Sequence, residues 1–464
     1  MTVSEPTILF NDHLSSADRK KLTRVILRLA VPIFIGGGIN AFVGFMTRIF
    51  ISELGEVTYN SVNLCLMVFY TIILVVVAIS IGTTTLVAQN WGGNQKDRAG
   101  EILKQSLIHS LLLGFLISLF GLLTRRALFQ LLGMDEEMTA IGSQFLFWVY
   151  LGLPFFCPGF FMAAALRGAG DTRTPMIAGL VMSAFSLVLS YGLILGKLGM
   201  PKLEAVGAAI AINASFLVFT VLQAVAIFFN RTVLNVSAKS WRFDYRTGAS
   251  IMKIGLPSAG EWSVIRIGFV VYVTLVGYYG HETLAGFFTG IAILSLTHSL
   301  TQGIQIAATT LVGQAVGAKD FSKAESIFRL TALIGFVIMA VCALVFAVAA
   351  DTAVLSRMFP KLNASSIEYA RDFILLICLV MPLMGSSFAV GGGLRGAGST
   401  KAPLYAAAVG VYGGRIGFAF LVYYLFQPSV YVIWCSMFPD LIIRLLIMLI
   451  QVKSGKWKAV KINL

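Results

Sequence analysis

A chain of 464 residues that is 58% hydrophobic and 12% charged carries about half the charge of a soluble globular domain. That composition excludes a water-soluble fold and leaves the formal net charge of +14 to be explained by where the basic residues fall. Five cysteines (Cys65, Cys157, Cys342, Cys378 and Cys435) sit singly in apolar runs, so neither a metal site nor a disulfide framework is expected.

Residues 1–21 are polar and mixed in charge, with no small-residue cleavage site after them. They are read as a cytoplasmic tail without a cleavable leader. Twelve apolar segments follow, predicted as helices at 23–52, 57–89, 101–124, 137–166, 174–196, 204–230, 249–279, 283–315, 322–350, 365–394, 402–425 and 429–451. Each is long enough to cross a bilayer, which takes about 20 residues. Assigning loops to alternate sides sorts the basic residues. One side collects Arg19, Lys20, Lys21, Arg24, Arg28, Lys96, Arg98, Lys104, Arg167, Arg173, Arg231, Lys239, Arg242, Arg246, Lys253, Lys319, Lys323, Arg329, Arg395, Lys401, Lys453, Lys456, Lys458 and Lys461. The other holds Arg125, Arg126, Lys197, Lys202, Arg357, Lys361 and Arg371. This asymmetry, 24 against 7, is the positive-inside pattern of a multi-pass protein of the inner (plasma) membrane with both termini in the cytoplasm. The charge is thus a topology signal, and the expected surroundings are lipid, with no nucleic-acid partner.

The chain repeats itself. Ile26 to Pro32 (ILRLAVP) resembles Ile251 to Pro257 (IMKIGLP), and Leu86 to Ile102 resembles Leu311 to Ile327, both at an offset of 225. Leu166 to Pro175 (LRGAGDTRTP) resembles Leu394 to Pro403 (LRGAGSTKAP) at an offset of 228, which Pro154 and Pro382 share. Ordered matches with one short slip mean a duplicated six-helix unit. Six crossings bring each unit back to its starting side, so the halves are parallel repeats about an axis along the membrane normal. The predicted fold is an all-α polytopic membrane protein, with twelve helices in two pseudo-symmetric six-helix bundles around a central cavity. An N-lobe spans 22–230, a basic cytoplasmic linker 231–248, a C-lobe 249–452 and a cytoplasmic tail 453–464.

The repeated elbows, the Ala88-Gln89…Gly92 turn, its echo Gly313-Gln314…Gly317 and Arg415 in the eleventh helix resemble the multidrug and toxic compound extrusion (MATE) family. The resemblance covers residues 22–455 in order. It implies alternating access at a central cavity and export of organic molecules driven by inward Na⁺ or H⁺ flow. The elbows also have a structural reading: glycines permit the reversal, the arginine caps helix-end carbonyls, and proline opens the next helix.

Many bacterial members of that family carry an aspartate at the position of Thr47 and an N-x-x-x-D pattern whose ends fall on Ser186 and Ser190, with a common threonine at Ile212. With Asn40 and Asn213, the hydroxyl residues make a residual polar site that can ligate a cation through oxygen. Without a carboxylate it cannot exchange a proton at working pH.

Ionisable groups inside a membrane are costly and are functional candidates by default. Glu261 lies one turn after Pro257, where many bacterial members of the resembled family have Glu or Gln. The carboxylate of other branches falls one turn later, at Ile265. Glu261 either couples transport or neutralises Arg266 or a neighbouring helix's arginine. Asp440 and Arg444 are spaced to pair at i, i+4. Arg48, Arg266 and Arg415 each neutralise a buried carboxylate, cap a helix end or place a charge at the cavity, with a structural role favoured for Arg415. In the eighth helix His298, Gln302 and Gln305 share one face, whereas the repeat-equivalent stretch Ile72 to Ser80 is apolar. His298, read as the one histidine inside a span, is either a proton exchanger, which the unperturbed pKa of histidine suits, or an interhelical hydrogen-bonding group. The expected coupling set is therefore Glu261, His298, Gln302 and Asp440, with H⁺ or Na⁺ as the ion and no other cofactor. Tyr70, Phe161, Met162, Phe287 and Phe288 can supply an adaptable apolar wall.

The resulting expectation is a monomeric secondary-active exporter of amphipathic, cationic organic molecules working by antiport. The alternative is a carrier or flippase for an anionic or lipid-linked substrate, favoured by the missing N-lobe acids and by Arg48 and Arg266. An enzyme is not expected, because neither HExxH nor GxSxG occurs.

Overall fold

The computed structural model describes residues 16–131, 133–229, 231–234, 236, 241–295, 297–360, 362–426 and 429–460. The tail 1–15, most of the linker between 235 and 240, and Lys239, Lys361 and Lys461 lie outside the described residues. The first half comprises α1 (Ser16–Ser52), α2 (Glu56–Gly92), α3 (Lys96–Leu131), α4 (Glu136–Gly168), α5 (Arg173–Leu195) and α6 (Glu204–Phe228). The second comprises α7 (Tyr245–Gly277), α8 (His281–Ser295), α9 (His298–Gly317), α10 (Phe321–Ala349), the short α11 (Thr352–Met358) and α12 (Ala364–Gly396). It ends with α13 (Lys401–Ala408), α14 (Phe418–Phe426), α15 (Val430–Trp434) and α16 (Met437–Lys453). No strand occurs among the described residues.

Eleven helices are long and apolar enough to cross a bilayer, and the bent pair α8–α9 makes a twelfth crossing. The ends are set by local chemistry. Asp135, Asp320 and Asn363 accept backbone N–H groups at the starts of α4, α10 and α12. In the first elbow Asp171 accepts from the Arg173 and Thr174 amides and the Thr174 hydroxyl. Gly170 and Gly398 turn the two elbows at φ 91° and 87°, where a Cβ would be strained.

Three predicted helices are interrupted. The eighth breaks by 46° between α8 and α9. There Ser295 and Thr297 donate their hydroxyls to Ala292 and Leu294 carbonyls at 2.6 and 2.7 Å, a competing pattern that bends helices. The eleventh carries a π-helical run, Val409–Gly417, between α13 and α14, where Gly410 and Gly414 press on Asp440. The twelfth divides into α15 and α16 because Pro439 has no N–H for the Cys435 carbonyl, which accepts from Phe438 instead (3.0 Å).

The helix starts, elbows and short turns that carry most basic residues lie at one end of the bundle, called here the basic end. The halves interlock there. A Cβ on Gly255 of α7 would lie 2.5 Å from the Ile79 carbonyl of α2, and one on Gly303 of α9 would lie 2.8 Å from the Ala30 carbonyl of α1. These crossings are repeat equivalents. An open cleft of about 1060 Å³ is lined by residues of the first half alone, among them Arg19, Lys20, Arg24 and Arg28 of α1 and Arg173 of α5. Its arginines and lysines sit over apolar Leu27, Val31 and Pro32, as expected of basic residues at a membrane rim.

Candidate functional site

The halves are clasped at the basic end by hydrogen bonds that occur twice. Thr85 of α2 donates to the Arg395 carbonyl and Gln89 to that of Gly396, each at 2.9 Å. Thr310 of α9 donates to the Arg167 carbonyl at 2.9 Å and Gln314 to that of Gly168 at 3.0 Å. Donors repeat at the first sequence offset and acceptors at the second, so each elbow is held by the opposite half. Between them α2 and α9 touch backbone to backbone: a Cβ on Gly92 would lie 1.9 Å from the Gln314 carbonyl, and one on Gly317 would lie 1.8 Å from that of Gln89.

Above this closed end is a pocket of about 50 Å³ lined from both halves, by Leu74, Val77, Ser80, Ile81, Thr84, Ala164 and Arg167 on one side. Trp262, Gln302, Gln305 and Ile306 line the other. The faces that form it continue away from the basic end. On α7, Trp262 is followed one turn later by exposed Arg266. On α9, Gln302 is preceded by His298, and their Nε2 atoms are 2.8 Å apart. The His298 ring meets Trp262 edge-on at 6.2 Å. On α2, Tyr70 precedes Leu74 on the same face, and its hydroxyl lies 3.7 Å from a Cβ position on Gly44 of α1. Arg48 is one turn beyond Gly44, exposed. Neither Arg48 nor Arg266 has an ion pair or hydrogen bond among the described residues.

The buried carboxylates are arranged differently. Glu261 is 7% exposed and paired with Arg395, which donates from Nη2 at 2.7 Å and from Nε at 3.2 Å. Its partner is thus an elbow arginine, and only Arg167 caps a carbonyl, that of Ala163 at 2.9 Å. Asp440 is fully buried and held by Arg444 at 2.5 Å and Arg415 at 2.6 Å. Among the described residues these two are the only buried carboxylates, and arginine neutralises both.

The residual N-lobe residues are only partly brought together. Thr47 is buried and donates to the Val43 carbonyl. Ser190 is buried with an unpartnered hydroxyl, as is Ser183, which the sequence did not single out. Phe50 and Tyr191 rings at 5.5 Å show that α1 and α5 meet there, and Ser186 is half-buried on the same α5 face. Asn213 is committed elsewhere, its amide donating to the Trp148 carbonyl of α4 at 2.5 Å. Asn40 is exposed. The expectation that His298 stands alone is corrected: His281 opens α8, and a further histidine on a spanning helix is His109. It lies near the basic end of α3, stacked on Phe243 at 4.7 Å.

Two parallel helical repeats, clasped at one end around a charged interlobe cavity, define a multi-pass transporter. The MatE family model matches residues 32–192 and 257–421, and the chain belongs to that family of multidrug efflux transporters. It is 24% identical over 459 residues to a probable multidrug resistance protein NorM of Thermotoga maritima, covering 97% of this chain and 96% of that one. It is 25% identical over 447 residues to the uncharacterized transporter YisQ of Bacillus subtilis, covering 93% and 94%. Among solved structures, a MOP superfamily transporter from Pyrococcus furiosus superposes with a TM-score of 0.86 at 21% identity, covering 98% of this chain and all of that one. That protein is described as having a binding pocket of reverse polarity that suggests a different function. The eukaryotic MATE transporter AtDTX14 superposes at 0.80 with 17% identity, covering 95% and 97%.

Proposed function

We propose that this chain is a monomeric, alternating-access exporter of amphipathic organic anions in the inner (plasma) membrane. Its basic end, with both termini, faces the cytoplasm, so the clasp closes the cytoplasmic side. One observation carries the choice of cargo. Arg167 lines the interlobe pocket and, like exposed Arg48 and Arg266 on helices that continue from it, has no carboxylate partner among the described residues, while both buried carboxylates are already paired. An arginine in a spanning helix costs about 2.5–3.5 kcal/mol on insertion scales, and an anionic cargo is what offsets that cost. Of the two cargo classes weighed from the sequence, the geometry therefore supports the anionic one.

Coupling is assigned to the Glu261–Arg395 pair and to His298 with Gln302. A proton or Na⁺ arriving at Glu261 competes with Arg395, whose own carbonyl is held by Thr85 across the lobes. Ion entry and loosening of the clasp are in this way linked. The test is dye transport by proteoliposomes under separately imposed pH and Na⁺ gradients. Carboxyfluorescein, an anion, should move and ethidium, a cation, should not, and Arg48→Gln/Arg266→Gln should slow carboxyfluorescein at least tenfold. Gradient-driven movement of ethidium without carboxyfluorescein would overturn the reading.

A further inference from the structure

The elbow arginines, Arg167 and Arg395, are repeat equivalents with different partners. Arg395 is closed by Glu261. At the repeat offset of 225 the N-lobe counterpart of Glu261 is Gly36, and the contacts of the two crossings match that register to within one residue. Gly255 meets α2 at Ile79 as Ala30 meets α9 at Gly303, and Trp262 lines the pocket beside Leu74 as Gly37 lies against Ser299. Arg167 therefore belongs to the half in which the duplicated unit has no carboxylate at the position equivalent to Glu261. Its Nε donates to Ala163, and its two terminal amino groups have no partner among the described residues.

Side chains of the opposite half face it. Arg167 shares its pocket with Gln302 and Gln305. Gln305 is 6% exposed, and its Oε1 is buried with no hydrogen-bond partner. The repeat equivalents of these glutamines are Val77 and Ser80. The polar stripe of α9 thus faces the open arginine across a pocket whose other wall is the largely apolar stripe of α2. Planar guanidinium and carboxylate groups meet through two parallel hydrogen bonds, and rotated amides can add donors. The pocket of about 50 Å³ admits a carboxylate group but not the body of a drug-sized molecule. That body would extend away from the basic end, past Trp262 and Leu74 at the pocket's rim.

We infer that Arg167, Gln302 and Gln305 form a carboxylate-binding subsite at the cavity floor, in which the carboxylate of the cargo takes the place that Glu261 holds beside Arg395. This deepens, and rests on, the anionic-cargo reading. The substrate class narrows to amphipathic carboxylates with an aromatic or aliphatic body.

The test uses the full chain in lipid nanodiscs with two probes of one shape, 1-naphthoate and the neutral 1-naphthalenemethanol, measured by isothermal titration. Wild type should prefer naphthoate at least tenfold. Gly36→Glu restores the missing internal carboxylate, and the site has room, since the nearest neighbour of a Cβ there is Met176 Cγ at 3.9 Å. The preference should fall to within twofold in Gly36→Glu and in Arg167→Gln, while Gly36→Gln, of the same size but neutral, keeps it. Equal loss in Gly36→Gln and Gly36→Glu would make bulk the cause and overturn the subsite. Loss only in Arg48→Gln or Arg266→Gln would also overturn it, leaving the anionic-cargo reading intact. Absence of any preference in wild type would sink both.

Discussion

Replacing Gly317 with alanine tests whether the backbone contact between α2 and α9 keeps the basic end shut. The new methyl would fall 1.8 Å from the Gln89 carbonyl oxygen, far inside van der Waals contact, so the helices must separate in the closed state. Forced overpacking of this kind costs about 1–3 kcal/mol. In the open state the methyl should meet no such neighbour, and Gly317, the last residue of α9, has no left-handed backbone that alanine would strain, so overall folding should not suffer. The four interlobe hydrogen bonds of the clasp contribute about 0.5–1.5 kcal/mol each. The strain therefore offsets a large part of the clasp and shifts the closed-to-open ratio by roughly 5- to 150-fold, taking 1.4 kcal/mol as tenfold. The assay is electron–electron distance measurement between spin labels at the exposed, repeat-equivalent positions Arg98 and Lys323, in a cysteine-replaced background. A longer distance should gain population in Gly317→Ala and, by symmetry, in Gly92→Ala. An unchanged distance distribution in both variants, with labelled protein still monodisperse, would refute the contact as the determinant of closure.

The clasp hydrogen bonds should behave as a matched pair. Thr85→Val and Thr310→Val each remove one bond worth about 1 kcal/mol, so both should raise the open population in that assay about fivefold, and a marked inequality would contradict the equivalence. Glu261→Gln strands Arg395 in a buried site and should destabilise the protein by about 3–5 kcal/mol; Glu261→Gln/Arg395→Met should recover most of that loss in thermal unfolding monitored by size-exclusion chromatography. Asp440→Asn leaves Arg415 and Arg444 together without their shared anion. It should be destabilising to a similar degree of about 3–5 kcal/mol, with Arg415→Gln on top of it restoring stability, and a neutral effect would show that the triad contributes little.

The duplication was legible because hydropathy and repeated motifs are properties of single segments. Offsets, however, say which residues are equivalent, not which ones touch. The Gln89 and Gln314 turns were visible as a matching pair, yet nothing in the sequence indicates that each reaches the other half's elbow. Asp440 with Arg444 was readable since four residues bring two side chains to one helical face, whereas Arg415 joins them only through folding. Glu261 was found by the cost of burying charge, and its partner Arg395 is 134 residues away in an elbow assigned to turn chemistry. Breaks in the predicted helices escaped detection because an apolar run looks alike whether its hydrogen bonds skip four residues or five. The repeat also carries a signal of its own, since Gly36 stands at the position of Glu261 and leaves Arg167 an arginine without its acid.

The clasp also constrains mechanics. Each elbow bond has a mate across the pseudo-axis, and the α2–α9 crossing lies between them. A single attachment would leave the lobes free to swivel about it, but two on opposite flanks fix a line and resist torsion. Motion that keeps the crossing intact is therefore tilting about that line, like a clothes peg about its spring. The far mouth narrows only as both flanks release at once, so cutting one flank should yield a twisting, leaky carrier rather than one locked in a single state.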